Sequence, residues 1–327
     1  MKTIVYISPF VPAEWIAAHG MRPRRLLPHA TSPGGGGSGP AIGVCPYARS
    51  CAGEIGSRED ADAVVMTTTC DQMRRISETI SRSRRAPVFL FNIPATWQTT
   101  TAQKMYADEL TRLGRFLVRL GGVAPSREKL AQVMRDYETA RSALLAARAK
   151  LSAQQFSEAM AEFPSGGKIA TDSLQPIPPS RGIPVALVGS PMLRGHFDLF
   201  DWIERAGGRV ELDATTSGEL ALPAPFGRRE LGGDPLGTLV GAYFGSIPDV
   251  FRRPNSELYR WLKQKIAERD VRGIILRHYT WCDLWRAEAS RLKESLGLPL
   301  LVLVAGDGDS LDGHDTSQIQ SFLEMLR

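Results

Sequence analysis

The sequence predicts an α/β protein of two parallel-sheet domains, Rossmann-like or flavodoxin-like, with a helical segment between them. Three observations carry this expectation. Short apolar runs alternate with segments of helical period through the first third of the chain. The middle is a long stretch rich in Ala, Leu, Arg and Glu with no strand-like run, and the alternation resumes after residue 183.

In order, TIVYIS reads as a strand, AEWIAAHG as a helix, RRLLP as a second strand and ADAVVMTTT as a third. A helix from Asp71 to Ser83 and the strand PVFLFNIP complete a first domain, residues 1–122. The run SPGGGGSGP at 32–40 has too little side chain to pack and reads as a loop over the site or near it. From Thr101 to Gly121 and from Ser126 to Glu162 the pattern is helical, with Ser126 and Glu128 placed as a helix start. On the first of these helices Met105, Leu110, Leu113, Phe116, Leu117 and Leu120 form an apolar stripe that reads as core packing. PSGGK at 164–168 and Pro176, Pro178 and Pro179 read as a linker, closing a middle segment of residues 123–182.

The second α/β domain, residues 183–327, opens with the strand IPVALVGSP and a helix near 195–206. RVELDA is a strand, SELYRWLKQKIAER a helix, GIILRHY and LPLLVLV strands, and IQSFLEML the last helix. VGSP followed by Gly195 lacks the spacing of a phosphate-binding loop and reads as a strand-to-helix turn.

At 327 residues the chain is long enough for two or three domains, and 43% hydrophobic with 23% charged residues excludes disordered, collagen-like and coiled-coil classes. No run approaches the roughly 18–20 apolar residues of a membrane span, and the start MKTIVYISPFVP reads as a strand without an apolar signal region. The expectation is therefore a cytoplasmic protein with no membrane partner. The charge of +5 is scattered over short basic runs without a recognition motif or interleaved aromatic residues, so no nucleic-acid partner is expected.

Four cysteines, Cys45, Cys51, Cys70 and Cys282, in a reducing compartment point to metal or redox chemistry ahead of disulfides. Thr68-x-Cys70-Asp71-x-x-Arg74 matches Thr280-x-Cys282-Asp283-x-x-Arg286 in type and spacing, each time between a buried strand and an amphipathic helix. In an open α/β sheet ligands sit outside the carboxyl ends of the strands, so both thiols belong where a site is expected. Cys45 also opens a helix. A helix N-terminus favours the thiolate, the form that ligates metals. Cys51 lies six positions beyond Cys45, so at about 100° per residue its side chain points roughly 120° away. Three thiolates suit an iron–sulfur cluster, or zinc with a histidine such as His278 as fourth ligand; buried inert cysteines are the remaining reading.

Cys45-Pro-Tyr-Ala-Arg49, Thr69-Cys70-Asp71, PVFLFNIP before the MYADELTRLGRFL helix, and WCDLWRAEASRLKE with LPLLVLVAGDGD resemble the D-type subunits of 2-hydroxyacyl-CoA dehydratases and benzoyl-CoA reductases. The likeness spans most of the chain in motif order. It implies a 4Fe-4S cluster in the cleft between the domains, held by Cys45, Cys70 and Cys282 with one iron open. It further implies an acyl-CoA or aryl-CoA substrate, a second D-type subunit, and a separate ATP-dependent iron–sulfur activator. The reaction implied is one-electron reduction of the thioester to a ketyl radical and elimination of water, the substrate oxygen sitting at the open iron. Four cysteines are too few for the larger double-cubane cluster. The glycine-rich run at 34–37 departs from the family, as does Ser317-Gln318 where a Thr-Arg pair is usual. A non-catalytic electron-carrier or scaffold subunit is the alternative role.

In such subunits polar side chains at strand ends lie near the substrate. Ser8 and His29 are therefore candidate catalytic residues, Ser8 to hydrogen-bond the substrate and His29 to move a proton, although each also fits a turn. Asp307 is placed to orient a ligand or cap a turn, and His278, Tyr279 and Trp281 to wall the cluster.

Overall fold

The structure is a computed structural model that describes residues 1–30, 43–83, 86–165, 181–306 and 313–327. The glycine-rich run, the proline cluster and Asp307 lie outside the described residues.

The first sheet contains β1 (Thr3–Tyr6), β2 (Arg22–Arg25), β3 (Ala63–Thr67) and β4 (Val88–Phe91), all parallel, in the order β2-β1-β3-β4. Its helices are α1 (Ala13–Ala18), α2 (Pro46–Ser57), α3 (Asp71–Ser83) and α4 (Thr100–Arg119). Two more, α5 (Arg127–Ala147) and α6 (Ala153–Glu162), fill the middle of the chain. The second sheet contains β5 (Ile183–Gly189), β6 (Gly208–Thr215), β7 (Gly273–Tyr279) and β8 (Leu300–Ala305), again all parallel, in the order β6-β5-β7-β8. Around it lie α7 (Asp198–Arg205), α8 (Arg228–Gly233), α9 (Pro235–Val240), α10 (Ser256–Glu268), α11 (Asp283–Leu296) and α12 (Gly313–Met325). The two sheets share one strand order, and in both the order reverses between the first and third strands, the switch point of a doubly wound sheet. The chain is thus an α/β protein with two parallel-sheet domains.

Residue alternation explains the layering. Ile4, Tyr6, Ala63, Val65, Phe89 and Phe91 point to one face of the first sheet, against α1, α4 and α5. Val5, Ile7, Val64 and Met66 point to the other, against α2 and α3. Both faces of the second sheet are covered in the same way, by α7 and α12 on one side and α10 and α11 on the other. Strands buried on two faces read as continuous apolar runs, which is why these were visible in the sequence. The first core does not stop at residue 122. It continues through Leu130, Met134 and Leu144 of α5 and takes in Phe226, Leu239, Phe244 and Phe251 from the segment between β6 and α10.

Helix starts follow local chemistry. Ser126 accepts from the Lys129 N–H at 3.2 Å and opens α5 as expected. Pro46 occupies the first position of α2, where its missing N–H costs nothing. α11 ends on Gly297, whose φ of +66° suits a residue without a Cβ.

Two expectations are corrected. The second strand is RPRR, not RRLLP: Arg22 N–H donates to Lys2 O at 2.8 Å, and this edge strand is only partly buried, so no apolar run marks it. On α4, Met105 is 53% exposed, and Ala102 and Tyr106 pack into the core ahead of it.

Candidate functional site

The carboxyl ends of the four central strands, β1 and β3 of one sheet and β5 and β7 of the other, open onto one cavity of about 400 Å³. After β1 the chain runs through Ser8-Pro9, and after β5 through Ser190-Pro191, so the switch points carry the same Ser-Pro turn. Gly189 before the second turn has φ +143°, and a Cβ there would meet the Arg277 carbonyl oxygen. Only glycine lets β5 pass β7 this closely.

Cys45, Cys70 and Cys282 all line this cavity. Each immediately precedes a helix, respectively α2, α3 and α11. Met73 N–H donates to the Cys70 sulfur at 3.4 Å, and the Ser190 hydroxyl donates to the Cys282 sulfur at 3.4 Å. The backbone N–H of Cys45 donates to Gln72 Oε1 at 3.3 Å, tying the start of α2 to the first turn of α3. Cys51 is fully buried in α2, bonded to Tyr47, and does not reach the cavity.

The expectation of lowered thiol pKa values is overturned. Burial pushes Cys45 up to about 12 and Cys70 up to about 11, and raises Cys282 as well. The helix N–H groups and the Ser190 hydroxyl pull the other way but recover less than desolvation takes. These thiols are neutral until a cation replaces their protons.

Ser8 lines the cavity and is 6% exposed, while its Oγ accepts from the Phe10 N–H at 3.3 Å, so it faces the site and also braces its turn. His29 does not face this cavity. With β2 ending at Arg25 the chain has already left the sheet, and His29 is exposed beside Glu54, whose Oε2 accepts from the His29 backbone N–H at 2.9 Å and lies 3.3 Å from Nδ1. It borders a separate groove lined by Arg24, Glu54 and Arg58. His278 is buried with Nδ1 against the Tyr279 carbonyl at 3.1 Å and is not in the cavity wall, so it joins none of the three cysteines. Tyr279 and Trp281 do line the cavity.

Sequence reasoning missed Asp249, Ser190 and the run Thr67–Thr69, all in the wall. Asp249 is 8% exposed, and its Oδ1 accepts from the Phe251 N–H at 3.0 Å. Burial raises its carboxyl to about 6, against the pull of that N–H and of Arg252, which brings it into the range for proton transfer near neutral pH. The repeated Ser-Pro pair could have pointed to Ser190. Nothing local marks Asp249, which the core packing of Phe244 and Phe251 delivers.

Among the described residues no group of three or more His, Cys, Asp or Glu side chains is arranged to hold a metal ion. The three thiols share a cavity without closing around one point. A single tetrahedral ion needs that closure, with bonds of about 2.3 Å to each sulfur, whereas a cubane takes its thiolates on separate iron corners. The donor set, three soft thiols lining one cavity, fits an iron–sulfur cluster better than zinc.

The sequence matches the family described as 2-hydroxyglutaryl-CoA dehydratase, D-component, over residues 9–326. No curated protein matches it. Among solved structures, a Cd-bound periplasmic metal binding protein from candidatus liberibacter asiaticus overlaps at 10% identity and TM-score 0.27, covering 100% of this chain and 97% of that one. A laminin-binding adhesin from Streptococcus agalactiae overlaps at 11% identity and TM-score 0.24, with 100% and 98% covered. Scores this low do not mark a common fold.

Proposed function

The chain belongs to the 2-hydroxyglutaryl-CoA dehydratase D-component family, and from that premise we propose that it is the cluster-bearing subunit of a dehydratase-like or aryl-CoA reductase-like enzyme acting on CoA thioesters. The observation that carries this reading is the meeting of Cys45, Cys70 and Cys282, from three helix starts and both domains, in one cavity at the switch points of both sheets. These three residues would hold a 4Fe-4S cluster, which when bound supplies one electron at low potential to the thioester.

The chain's own residues supply the rest. Tyr47 and Tyr279, buried with ring centroids 5.9 Å apart, give the cavity an aromatic lining. The Ser190 hydroxyl orients the Cys282 sulfur, and Ser8 lines the same cavity. Asp249 is placed to hold a proton for the departing 2-hydroxyl group, which must leave as water. Only Cys51 remains once three thiols are assigned, so the chain has no second cluster of its own to inject electrons. The reading therefore calls for a separate ATP-dependent iron–sulfur activator and a second D-type subunit as partners.

The test is turnover of 2-hydroxyacyl-CoA thioesters by anaerobically purified protein, with and without such an activator and ATP. Dehydration is expected only with both. Robust ATP-independent dehydration by the isolated chain would refute the scheme. Failure with every activator, while cluster content stays full, would favour an electron-carrier or scaffold role.

A further inference from the structure

The two walls of the cavity are chemically unlike where the sequence repeat would make them alike. In Thr68-x-Cys70-Asp71-x-x-Arg74 the residue before the cysteine is Thr69, whose hydroxyl lies 3.1 Å from that of Thr67. In Thr280-x-Cys282-Asp283-x-x-Arg286 it is Trp281. One wall is therefore a run of hydroxyls, Thr67 to Thr69, and the other an aromatic surface of Trp281 and Trp285.

Trp281 is the third residue of the turn closed by the Cys282 N–H on the Tyr279 carbonyl at 3.0 Å, and it carries two costs there that a glycine would avoid. Its backbone sits at φ +68°, in the left-handed region that a bulky side chain disfavours. The residue is 56% exposed although it lines the cavity, while its neighbour in the wall, Trp285, is buried. Backbone strain held at a ligand-facing position is common where a side chain must be aimed. The described residues that line the cavity include Asp71, Asp249 and Asp283 and no Lys, Arg or His. Arg74 and Arg286 stand one turn further along their helices and are exposed, paired to Asp71 at 3.1 Å and Asp283 at 3.9 Å. The phosphates of a CoA ester thus have no cation inside the cavity, and its uncharged acyl end is the part the walls accept.

On the reading of this cavity as a thioester site, we propose that Trp281 is a specificity-determining residue, its ring stacking on an aromatic acyl group while the threonine wall takes the polar side of the ligand. The substrate class is then aryl or arylalkyl thioesters in preference to short aliphatic ones.

The test measures binding of benzoyl-CoA and acetyl-CoA by calorimetry to the anaerobically purified full chain and to Trp281→Gly and Trp281→Leu. Glycine relieves the left-handed backbone, so Trp281→Gly should melt within a few degrees of the parent, and Trp281→Leu keeps apolar bulk without the ring. Both variants should weaken benzoyl-CoA by about tenfold, the scale of one lost aromatic contact, and acetyl-CoA by less than about twofold. Benzoyl-CoA bound within twofold of the parent by either folded variant, or equal weakening of both thioesters, would overturn the proposal and leave the thioester reading standing. If the parent binds neither thioester, the thioester reading falls and the proposal with it.

Discussion

At several buried residues desolvation outweighs the local hydrogen bonds and sets the protonation of the group. The three cavity thiols and Asp249 are examples inside the site, and Asp213 in β6 is one outside it. Asp213 is 2% exposed, accepts from the Thr215 N–H at 3.0 Å, and is pushed by burial from an ordinary 3.8 up to about 6, with Glu219 adding to the rise. The folded state then holds the proton more tightly than the unfolded chain. This group's contribution to stability is present below about pH 4 and is lost as pH rises through 6. Asp213→Asn removes that loss, so the variant should gain on the parent by up to about 3 kcal/mol between pH 4.5 and 7, a gap of about two pKa units. Urea midpoints across that range check it, and parallel profiles for the two proteins would contradict it.

At the scale of elements, the segment between β6 and α10 matters most, because it leaves the second sheet and packs on the first. Its anchor is a buried network: Arg141 of α5 meets Glu14 of α1 at 2.8 Å, and Tyr243 donates to the other Glu14 oxygen at 2.6 Å. Glu14 is fully buried and Arg141 is 3% exposed, so Glu14→Ala strands a buried cation with Glu138 as its remaining partner. The expected cost is about 3–5 kcal/mol, read from chemical unfolding. A loss under about 1 kcal/mol would show that the network does not anchor the segment. This same segment explains what the sequence could not reveal. Cys70 and Cys282 were legible because each follows a strand buried on both faces and starts a helix, a local pattern. Asp249 was not, since its place depends on Phe226, Leu239 and Phe251 crossing to a distant core, and no periodicity marks that crossing. His29 was misplaced for the opposite reason: LLP looks like a strand, while the real edge strand, RPRR, is polar and interrupted by Pro23.

Across the whole molecule, two sheets of the same strand order present their switch points to one cavity, and the cysteines reach it from both halves. That arrangement gives each thiol a fixed backbone support at a helix start. The most direct test is iron and sulfide content, with absorbance near 400 nm and EPR, of the anaerobically reconstituted chain and of Cys45→Ala, Cys70→Ala, Cys282→Ala and Cys51→Ala. The parent should hold about four irons and four sulfides, as one 4Fe-4S cluster requires. Each of the three cavity variants should lose most of them, and Cys51→Ala should match the parent. Full iron in the Cys70 and Cys282 variants would contradict the assignment of the cavity thiols as the cluster's ligands.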